Sequence, residues 1–287
     1  MQKLLSWFLA ARHRKRRFVV VSAAGLALVA FYSVAAWRVI RVADAQWFDP
    51  APEAYGNWHP AGLKFEDVWF RSKDGTRLNG WYVPHERPRA VVLFLHGSSA
   101  NVTYRADVLR RLHDRFHVAA MTFDYRGFGR SQGKITEAGL LADARAARRW
   151  LARRAAVDER EIVLVGRSLG AAVAVDLATD GAAALVLENG FTSLPDVAKA
   201  HYHWLPIAWF MRFRLDAASK IGRYDGPLLQ VHAAADHVVP LSMARRLFWA
   251  ASGPRQFIIA PKADHTDPPC EAYYLALGRL LDRVGGR

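Results

Sequence analysis

A serine flanked by two glycines carries the clearest chemical signal in the sequence, Gly166-Arg167-Ser168-Leu169-Gly170. The Gly-x-Ser-x-Gly pattern is weak by itself, but here it lies between EIVLV, which predicts a strand, and AAVAVDLA, which predicts a helix. In that context the glycines leave room for a sharp strand–turn–helix bend that presents the serine hydroxyl at the N-terminus of the helix. The alternative is a glycine-flanked turn with an incidental serine. The context favours Ser168 as a nucleophile.

A serine hydroxyl is a poor nucleophile without a base, and a histidine follows a later predicted strand. His265 lies four residues beyond RQFIIAP, and Asp236 lies directly after PLLQVHAAA. The carboxyl ends of parallel strands meet at one edge of a sheet, so both side chains are expected to converge there with Ser168. We therefore predict Ser168 as nucleophile, His265 as general base and Asp236 as the acid that orients the base.

Other acidic residues compete for the role of orienting acid. Asp264 and Asp267 neighbour the histidine, but they are too close to it in sequence to orient its ring easily. Asp225 precedes its strand and would lie at the wrong end of the sheet. Alternative roles stay open for the chosen pair, because Asp236 could cap the helix that follows and His265 could be an incidental histidine.

Acyl transfer also needs hydrogen-bond donors for the oxyanion that develops in the transition state. One expected donor is the backbone N–H of Leu169, the residue after the nucleophile. The second is expected from the loop after the strand AVVLFL, which reads His96-Gly97-Ser98, and we assign it to the N–H of Ser98. His96 is interpreted as a structural residue that shapes this loop.

The remaining histidines and the single cysteine give weaker signals. His201-x-His203 has the spacing of metal ligands, but no third ligand is evident nearby, and we predict no metal site. One cysteine excludes an intramolecular disulfide and a multi-cysteine zinc site. Cys270 follows two prolines at a predicted helix start and is interpreted as a helix-face residue. The predicted chemistry requires no metal or organic cofactor.

Strands and helices alternate from residue 65 onward, which is typical of a mostly parallel sheet with helices on both faces. KFEDVWFRS and TRLNGWYVP flank the turn signal Lys73-Asp74-Gly75 and predict a hairpin. Continuous apolar runs predict buried strands in AVVLFLHG, HVAAMTFDYRG, EIVLVG, ALVLENG, PLLQVHAAAD and RQFIIAP. Helices are predicted at 102–116, 136–155, 169–179, 240–251 and 268–284.

The N-terminal segment has the composition of a membrane anchor. Residues 18–37 are 20 consecutive uncharged residues, which as a helix would span the hydrocarbon core of a bilayer, about 30 Å thick. The basic run RHRKRR precedes them, so we predict a cytoplasmic N-terminus at 1–17, a transmembrane helix at 18–40 and a catalytic domain on the periplasmic or extracytoplasmic side. The alternatives are a signal peptide cleaved near Ala43-Asp44-Ala45 and a buried core helix.

The rest of the chain divides into a linker and one domain. Residues 41–64 are rich in proline, glycine and aromatic residues and are interpreted as a linker near the membrane surface, and residues 65–287 as the catalytic domain. The formal charge of +14 could suggest a nucleic-acid partner. Because the arginines are spread along the chain and no nucleic-acid motif accompanies them, we predict no such partner.

Six ordered motifs resemble the α/β-hydrolase superfamily, within its branch of ABHD-type and serine-aminopeptidase-like hydrolases. The resemblance covers roughly residues 65–285. It implies the α/β-hydrolase fold, the triad of Ser168, Asp236 and His265, and oxyanion donors at Ser98 and Leu169. The motifs are LHGSSAN at 95–101, FDYRGFGRSQG at 123–133, GRSLG at 166–170, ENGFTSL at 188–194, HAAADHVVP at 232–240 and KADHTD at 262–267.

Two positions depart from the family pattern. His232-Ala233 stands where the family usually has His-Gly before the acid, and Asp264 stands where it usually has glycine before the catalytic histidine. Neither departure removes a functional group, and the second places a carboxylate beside the base, where it can alter substrate preference.

The expected function is cleavage of carboxylic ester or thioester bonds through an acyl-enzyme, on a small-molecule or lipid acyl substrate. The alternatives are a serine peptidase on the same triad and a catalytically silent, membrane-tethered interaction module. Residues 192–223 are interpreted as a small cap with an apolar acyl pocket, the alternative being ordinary packing on the sheet. The apolar side chains on which this interpretation rests are Tyr202, Trp204, Trp209, Phe210, Met211 and Phe213.

Overall fold

The computed structural model describes residues 22–23, 25–35, 37–38, 47–203 and 207–285. Contacts divide the chain into two units, Met1–Gln46 and Trp47–Arg287. The described residues of the first unit are helical. No helix within the described ranges is long and apolar enough to cross a bilayer. Part of the predicted anchor at 18–40, and all of the basic segment at 1–17, lie outside the described residues, so both assignments stay predictions.

The second unit is built on a central sheet, which has eight strands within the described residues. Starting from one edge of the sheet, six adjacent strands run parallel to one another. An antiparallel hairpin forms the remaining two strands at the other edge. This arrangement confirms the predicted α/β fold class. Numbered along the chain and given in spatial order, the strands are β10 (Arg255–Ala260), β9 (Leu228–Ala233), β8 (Ala184–Glu188), β7 (Ile162–Arg167), β4 (Val91–Leu95), β6 (Ala119–Phe123), β3 (Arg77–Val83) and β2 (Glu66–Arg71).

Helices cover both faces of the sheet. Because of this two-sided cover, strands such as β4 and β8 are buried along their whole length and consist of continuous apolar runs. The edge strand β2 instead alternates buried and exposed residues. One face carries α1 (Ala106–Phe116) and α8 (Glu271–Gly285), and the other carries α2 (Glu137–Ala155), α3 (Leu169–Ala178) and α7 (Leu241–Ala250).

The segment predicted as a cap forms short helices among its described residues, α4 (Leu194–His201), α5 (Ile207–Phe210) and α6 (Ala218–Ile221). Phe213 is buried, and the centroid of its ring lies 4.8 Å from that of Phe48. Trp209 is 84% exposed, and Trp204 lies outside the described residues. One of these aromatic side chains is therefore packed in the interior and another is exposed to solvent. The apolar acyl pocket stays a prediction.

The predicted linker at 41–64 differs in part from the structure. Strand β1 (Asp49–Pro50) pairs in parallel with β5 (Ser99–Ala100), which belongs to the loop after β4. Residues 47–64 therefore form part of the second unit, and the N–H groups of Asp49 and Ala51 donate to the carbonyls of Ser98 and Ala100 in that loop. The remainder, 41–46, lies outside the described residues.

Parallel strands have their carboxyl ends on the same side of the sheet, which we call its carboxyl edge. At this edge, short loops leave β4, β7, β8, β9 and β10. Polar residues follow each of these strands within a few positions: Ser98, Ser168, Asn189, Asp236 and His265.

Candidate active site

Ser168 lies at the bend between β7 and α3. Its φ is 53° and its ψ is −115°, a backbone conformation that non-glycine residues rarely adopt. The two glycines are needed because the bend is tight. A Cβ at Gly166 would overlap the carbonyl oxygen of Gly170, and a Cβ at Gly170 would overlap that of Leu95. The backbone thus holds Ser168 at the start of the helix, at the carboxyl edge of the sheet.

The three predicted triad side chains form one hydrogen-bonded row. His265 Nε2 lies 2.9 Å from Ser168 Oγ, and His265 Nδ1 lies 2.8 Å from Asp236 Oδ2. The side chain of Asp236 is fully buried, whereas that of His265 is 13% exposed. The ring can therefore exchange a proton with Ser168 on one side while a shielded carboxylate holds it on the other. The catalytic roles themselves stay predictions.

Asp236 is held in its ionised form. Its Oδ1 accepts hydrogen bonds from the N–H groups of Val238 at 2.9 Å and Val239 at 2.7 Å, and His232 Nε2 lies 3.5 Å from Oδ2. Burial alone raises the pKa of this carboxyl, but the hydrogen bonds from His265 and Val239 outweigh it and hold the pKa below its ordinary value. An ionised Asp236 can stabilise the imidazolium that forms when His265 takes a proton.

Asn189 positions the loop that carries the predicted base. Its Nδ2 donates to His265 O at 2.8 Å, and its Oδ1 accepts from Ala233 N–H at 3.0 Å. One amide therefore ties the end of the acid-bearing strand to the base. Sequence reasoning missed this residue, and the signal available was its place directly after the buried strand β8.

Arg167 supports the same loop from the other side. Its Nη2 donates to the carbonyl oxygens of His265 at 3.1 Å and Asp267 at 2.7 Å. Its role also escaped the sequence analysis, because the variable position before the nucleophile gives no indication of where a long side chain will reach.

The competing carboxylates make other contacts. Asp264 Oδ1 accepts from the backbone N–H groups of His265 at 2.7 Å and His237 at 3.1 Å, and these bonds hold the pKa of Asp264 below its usual range. Asp267 Oδ2 accepts from Asp264 N–H at 2.8 Å. Asp225 precedes β9, at the opposite edge of the sheet. None of the three contacts the ring of His265 in the described structure.

The loop with the second predicted oxyanion donor lies against Ser168. A Cβ placed on Gly97 would lie 3.6 Å from Ser168 Cβ, which is ordinary van der Waals contact. The loop is fixed by Asp49 N–H, which donates to Ser98 O at 2.9 Å, and by Arg105 Nη2, which donates to Ser99 O at 2.7 Å. Within the described residues, no acceptor takes the N–H of Ser98 or of Leu169, and their role as oxyanion donors stays a prediction.

His96 and Asp124 form a buried base for this loop. His96 Nδ1 donates to Gly97 O at 2.7 Å, and Asp124 Oδ1 accepts from Val102 N–H at 2.9 Å. Burial lowers the pKa of His96 to about 3 and raises that of Asp124 to about 8. Both groups are thus neutral near pH 7. Within the described residues His96 makes no hydrogen bond to Ser168, and its interpretation as a structural residue stays a prediction.

The other singled-out residues lie in ordinary packing contacts. His201 Nε2 donates to Val238 O at 2.8 Å, which joins the end of α4 to the loop after Asp236. Cys270 is half-buried against the apolar cluster under α1 and α8.

The sequence is similar to a known protein family and to several known proteins. The sequence matches the family described as serine aminopeptidase, S33, over residues 86–220. An uncharacterized protein of Mycobacterium tuberculosis, Rv2307c, is 39% identical over 222 residues, which cover 76% of this chain and 77% of the relative. The alpha/beta hydrolase domain-containing protein WAV2 of Arabidopsis thaliana is 30% identical over 228 residues, which cover 71% of this chain and 73% of WAV2.

A solved structure shares the fold. The esterase Pf2001 of Pyrococcus furiosus superposes with a TM-score of 0.67 at 18% sequence identity, over 82% of this chain and 97% of the esterase. At that identity the likeness concerns the fold alone.

Proposed function

The chain belongs to the α/β-hydrolase superfamily, and from this membership we propose that it is a serine hydrolase that cleaves carboxylic ester or thioester bonds through an acyl-enzyme. One observation carries the proposal. Ser168, His265 and Asp236 form a hydrogen-bonded row, with distances of 2.9 and 2.8 Å, at the carboxyl edge of the sheet. A nucleophile, a base and an orienting acid in that order are what acyl transfer requires.

The mechanism has two halves. His265 Nε2 takes the proton of Ser168 Oγ as that oxygen attacks the substrate carbonyl, and the N–H groups of Ser98 and Leu169 hold the oxyanion. The leaving group departs with the proton from His265. Water then gives a proton to the same nitrogen and attacks the acyl-serine, and the carboxylic acid is released as Ser168 Oγ takes that proton back from His265. Asp236 stays ionised and keeps the Nδ1 proton of His265 in place throughout.

Ester bonds are the first choice because the fold is shared with a protein described as an esterase. A small-molecule or acylated lipid substrate fits this chemistry. The match to a family described as serine aminopeptidase favours a peptidase as second candidate. A matched pair of substrates, the same acyl group as a nitrophenyl ester and as a nitroanilide, separates the two by relative kcat/KM.

The central test is labelling of the detergent-solubilised full chain with a fluorophosphonate, which reacts with activated serines. We expect the wild type to be labelled and Ser168→Ala to remain unlabelled. Ser252→Ala is the matched control, because Ser252 precedes β10 at the opposite edge and its hydroxyl donates to Gly222 O. Labelling that persists in Ser168→Ala would contradict the proposal by assigning the activated serine to another position. A folded wild type that does not react would contradict it as well and favour an interaction module.

A further inference from the structure

A cavity of about 270 Å³ lies between α1 and α8, on the sheet face opposite α3. Its lining joins the two helices to the strand ends at Arg167 and Glu188 and to Pro268-Pro269, which follow the base loop. Arg167 immediately precedes Ser168, so the cavity lies beside the proposed nucleophile without including it. The proposed hydrolysis assigns it no role.

Much of the cavity wall is apolar. Helix α1 contributes Val108, Leu112 and Phe116, and α8 contributes Leu277. Liquid water occupies ~30 Å³ per molecule, so about 270 Å³ equals roughly nine waters and lies near the lower end of small-ligand pockets. The space therefore suits a compact apolar group of roughly ten heavy atoms rather than a long lipid chain.

Two arginines give the cavity a positive end. Arg111 lies over the ring of Tyr274, with Cζ 4.8 Å from the ring centroid, and donates to the hydroxyl of the same tyrosine. Arg167 donates to backbone carbonyls of the base loop. Neither guanidinium forms an ion pair with a carboxylate of the described residues. Their partners are neutral, so both charges are available to an anion.

Two acidic residues line the cavity: Asp107, whose exposed carboxylate pairs with Arg110, and the buried Glu188. Glu188 is only 7% exposed, and Tyr273 donates its hydroxyl to Glu188 Oε1 at 2.6 Å. Burial raises the pKa of Glu188, although the nearby arginines act in the other direction. The raised pKa of Glu188 lessens the repulsion that its ionised carboxylate would exert on an incoming anion.

We propose that this cavity binds a small carboxylate with an apolar chain of about eight carbons, its head group on Arg111 and Arg167 and its chain on the apolar wall. The binding itself does not depend on turnover. A carboxylic acid is also what ester hydrolysis releases, so on the proposed function the site is suited to hold the acid product or a similar effector.

A ligand bound in the cavity would affect the proposed base, His265, through Arg167. The same guanidinium lines the cavity and holds the carbonyl of His265. A carboxylate that draws Arg167 toward the cavity loosens that hold, and within the described residues the carbonyl of His265 then keeps only the hydrogen bond from Asn189 Nδ2. Ester hydrolysis should therefore slow at octanoate concentrations that fill the site.

The binding test uses the full chain carrying Ser168→Ala, which cannot form an acyl-enzyme. Octanoate, octanol and octylamine are titrated by calorimetry. We expect octanoate to bind at least tenfold more tightly than either of the other two, because only the carboxylate matches the two arginines. Equal affinity for octanol, or tighter binding of octylamine, overturns the proposal.

Two further variants locate the site. Arg111→Gln should weaken octanoate binding about tenfold, whereas Arg153→Gln, an exposed residue of α2 on the other face, makes the same change in net charge and should leave it within about twofold. Val108→Trp should fill the cavity and abolish binding with an unchanged melting temperature. Equal effects of the two arginine variants, or unaltered binding in a folded Val108→Trp protein, contradict the assignment.

The outcome is separable from that of the proposed function. Octanoate binding is measured on a protein that lacks the nucleophile, whereas fluorophosphonate labelling is measured on the wild type and on Val108→Trp. Labelling without octanoate binding rejects only the cavity, and octanoate binding without labelling rejects only the hydrolase.

Discussion

At the scale of single residues, two carboxylates near His265 differ in the part of that residue that they contact. Asp264 adjoins His265 in sequence, yet its carboxylate accepts from the backbone N–H of that histidine and not from the ring. Asp236 comes from a different strand and approaches the ring along Nδ1 at 2.8 Å. The carboxylate of Asp264 is held on the main-chain N–H of His265, whereas the loop after β9 brings the carboxylate of Asp236 to the ring nitrogen Nδ1.

Asn189→Gly tests whether the amide positions the base. Asn189 has a φ of 50°, which glycine adopts without strain, so this change deletes the amide and keeps the turn. Loss of the hydrogen bond to His265 O should lower kcat about tenfold and leave KM within about twofold. Steady-state kinetics on a nitrophenyl ester measures both.

The control for that variant is Asn57→Gly, a change at an exposed loop residue that accepts from His59 N–H. It should leave kcat unaltered. A rise in KM with unchanged kcat in Asn189→Gly would assign the amide to substrate binding instead of to the base.

At the scale of elements, the bend at the nucleophile depends on close backbone approach. Gly166→Ala places a Cβ against the carbonyl of Gly170, which belongs to the helix start and cannot move aside. We expect a loss of at least ~3 kcal/mol in the free energy of unfolding, or failure to fold. Urea unfolding followed by circular dichroism measures it.

Gly278→Ala is the matched control, because a Cβ there would lie 3.6 Å from Phe116 Cε1, in ordinary contact within α8. Helix propensity predicts a gain of about 1 kcal/mol. Equal behaviour of the two variants would show that the bend at Ser168 tolerates a side chain.

The loop after β4 should impart a pH dependence to stability through Asp124. Burial raises the pKa of this carboxyl to about 8, above the ~3.9 of an unfolded aspartate. Its stabilising contribution is therefore complete below pH ~3.9 and is lost as the pH rises through about 8. Between pH 7 and 9 the wild type should lose on the order of 1 kcal/mol relative to Asp124→Asn.

The titration of His96 does not contribute between pH 7 and 9. Burial lowers the pKa of His96 to about 3, so this residue changes stability only below its unfolded pKa of about 6.5. Urea midpoints at pH 7, 8 and 9 suffice for the comparison. Parallel curves for wild type and Asp124→Asn would mean that Asp124 is already ionised at pH 7.

At the scale of the whole molecule, the segment at 18–40 is expected to anchor the chain in a membrane, with the catalytic unit on the extracytoplasmic side. The full-length protein should then remain in the membrane fraction after alkaline washing. Leu28→Arg should shift it toward the soluble fraction, because an arginine at the centre of a spanning helix costs roughly 2.5–3.5 kcal/mol.

Gln46→Arg adds the same charge outside the predicted span and should leave the distribution unaltered. Complete extraction of the wild type at high pH would contradict the predicted anchor and indicate a peripheral protein.

The pattern of residue types predicts the order of the elements and the triad candidates. Buried parallel strands are apolar, so each leaves a continuous run, and the polar residues that follow such runs within a few positions lie at one edge of the sheet. Ser168, Asp236 and His265 could be selected on that ground, and Gly166 and Gly170 marked the bend, because each signal is local to one strand end.

The contacts that join those strand ends become apparent only in the folded chain. Asn189 and Arg167 reach residues 76 and 98 positions away in sequence, and no local pattern encodes which carbonyl a long or amide side chain will meet. The pairing of Asp49–Pro50 with Ser99–Ala100, in a segment predicted as a linker, has the same origin. So does the cavity between α1 and α8, since its volume depends on how two distant helices pack on one face. Such contacts arise from the packing of the folded chain, and therefore could not be read from residue types along it.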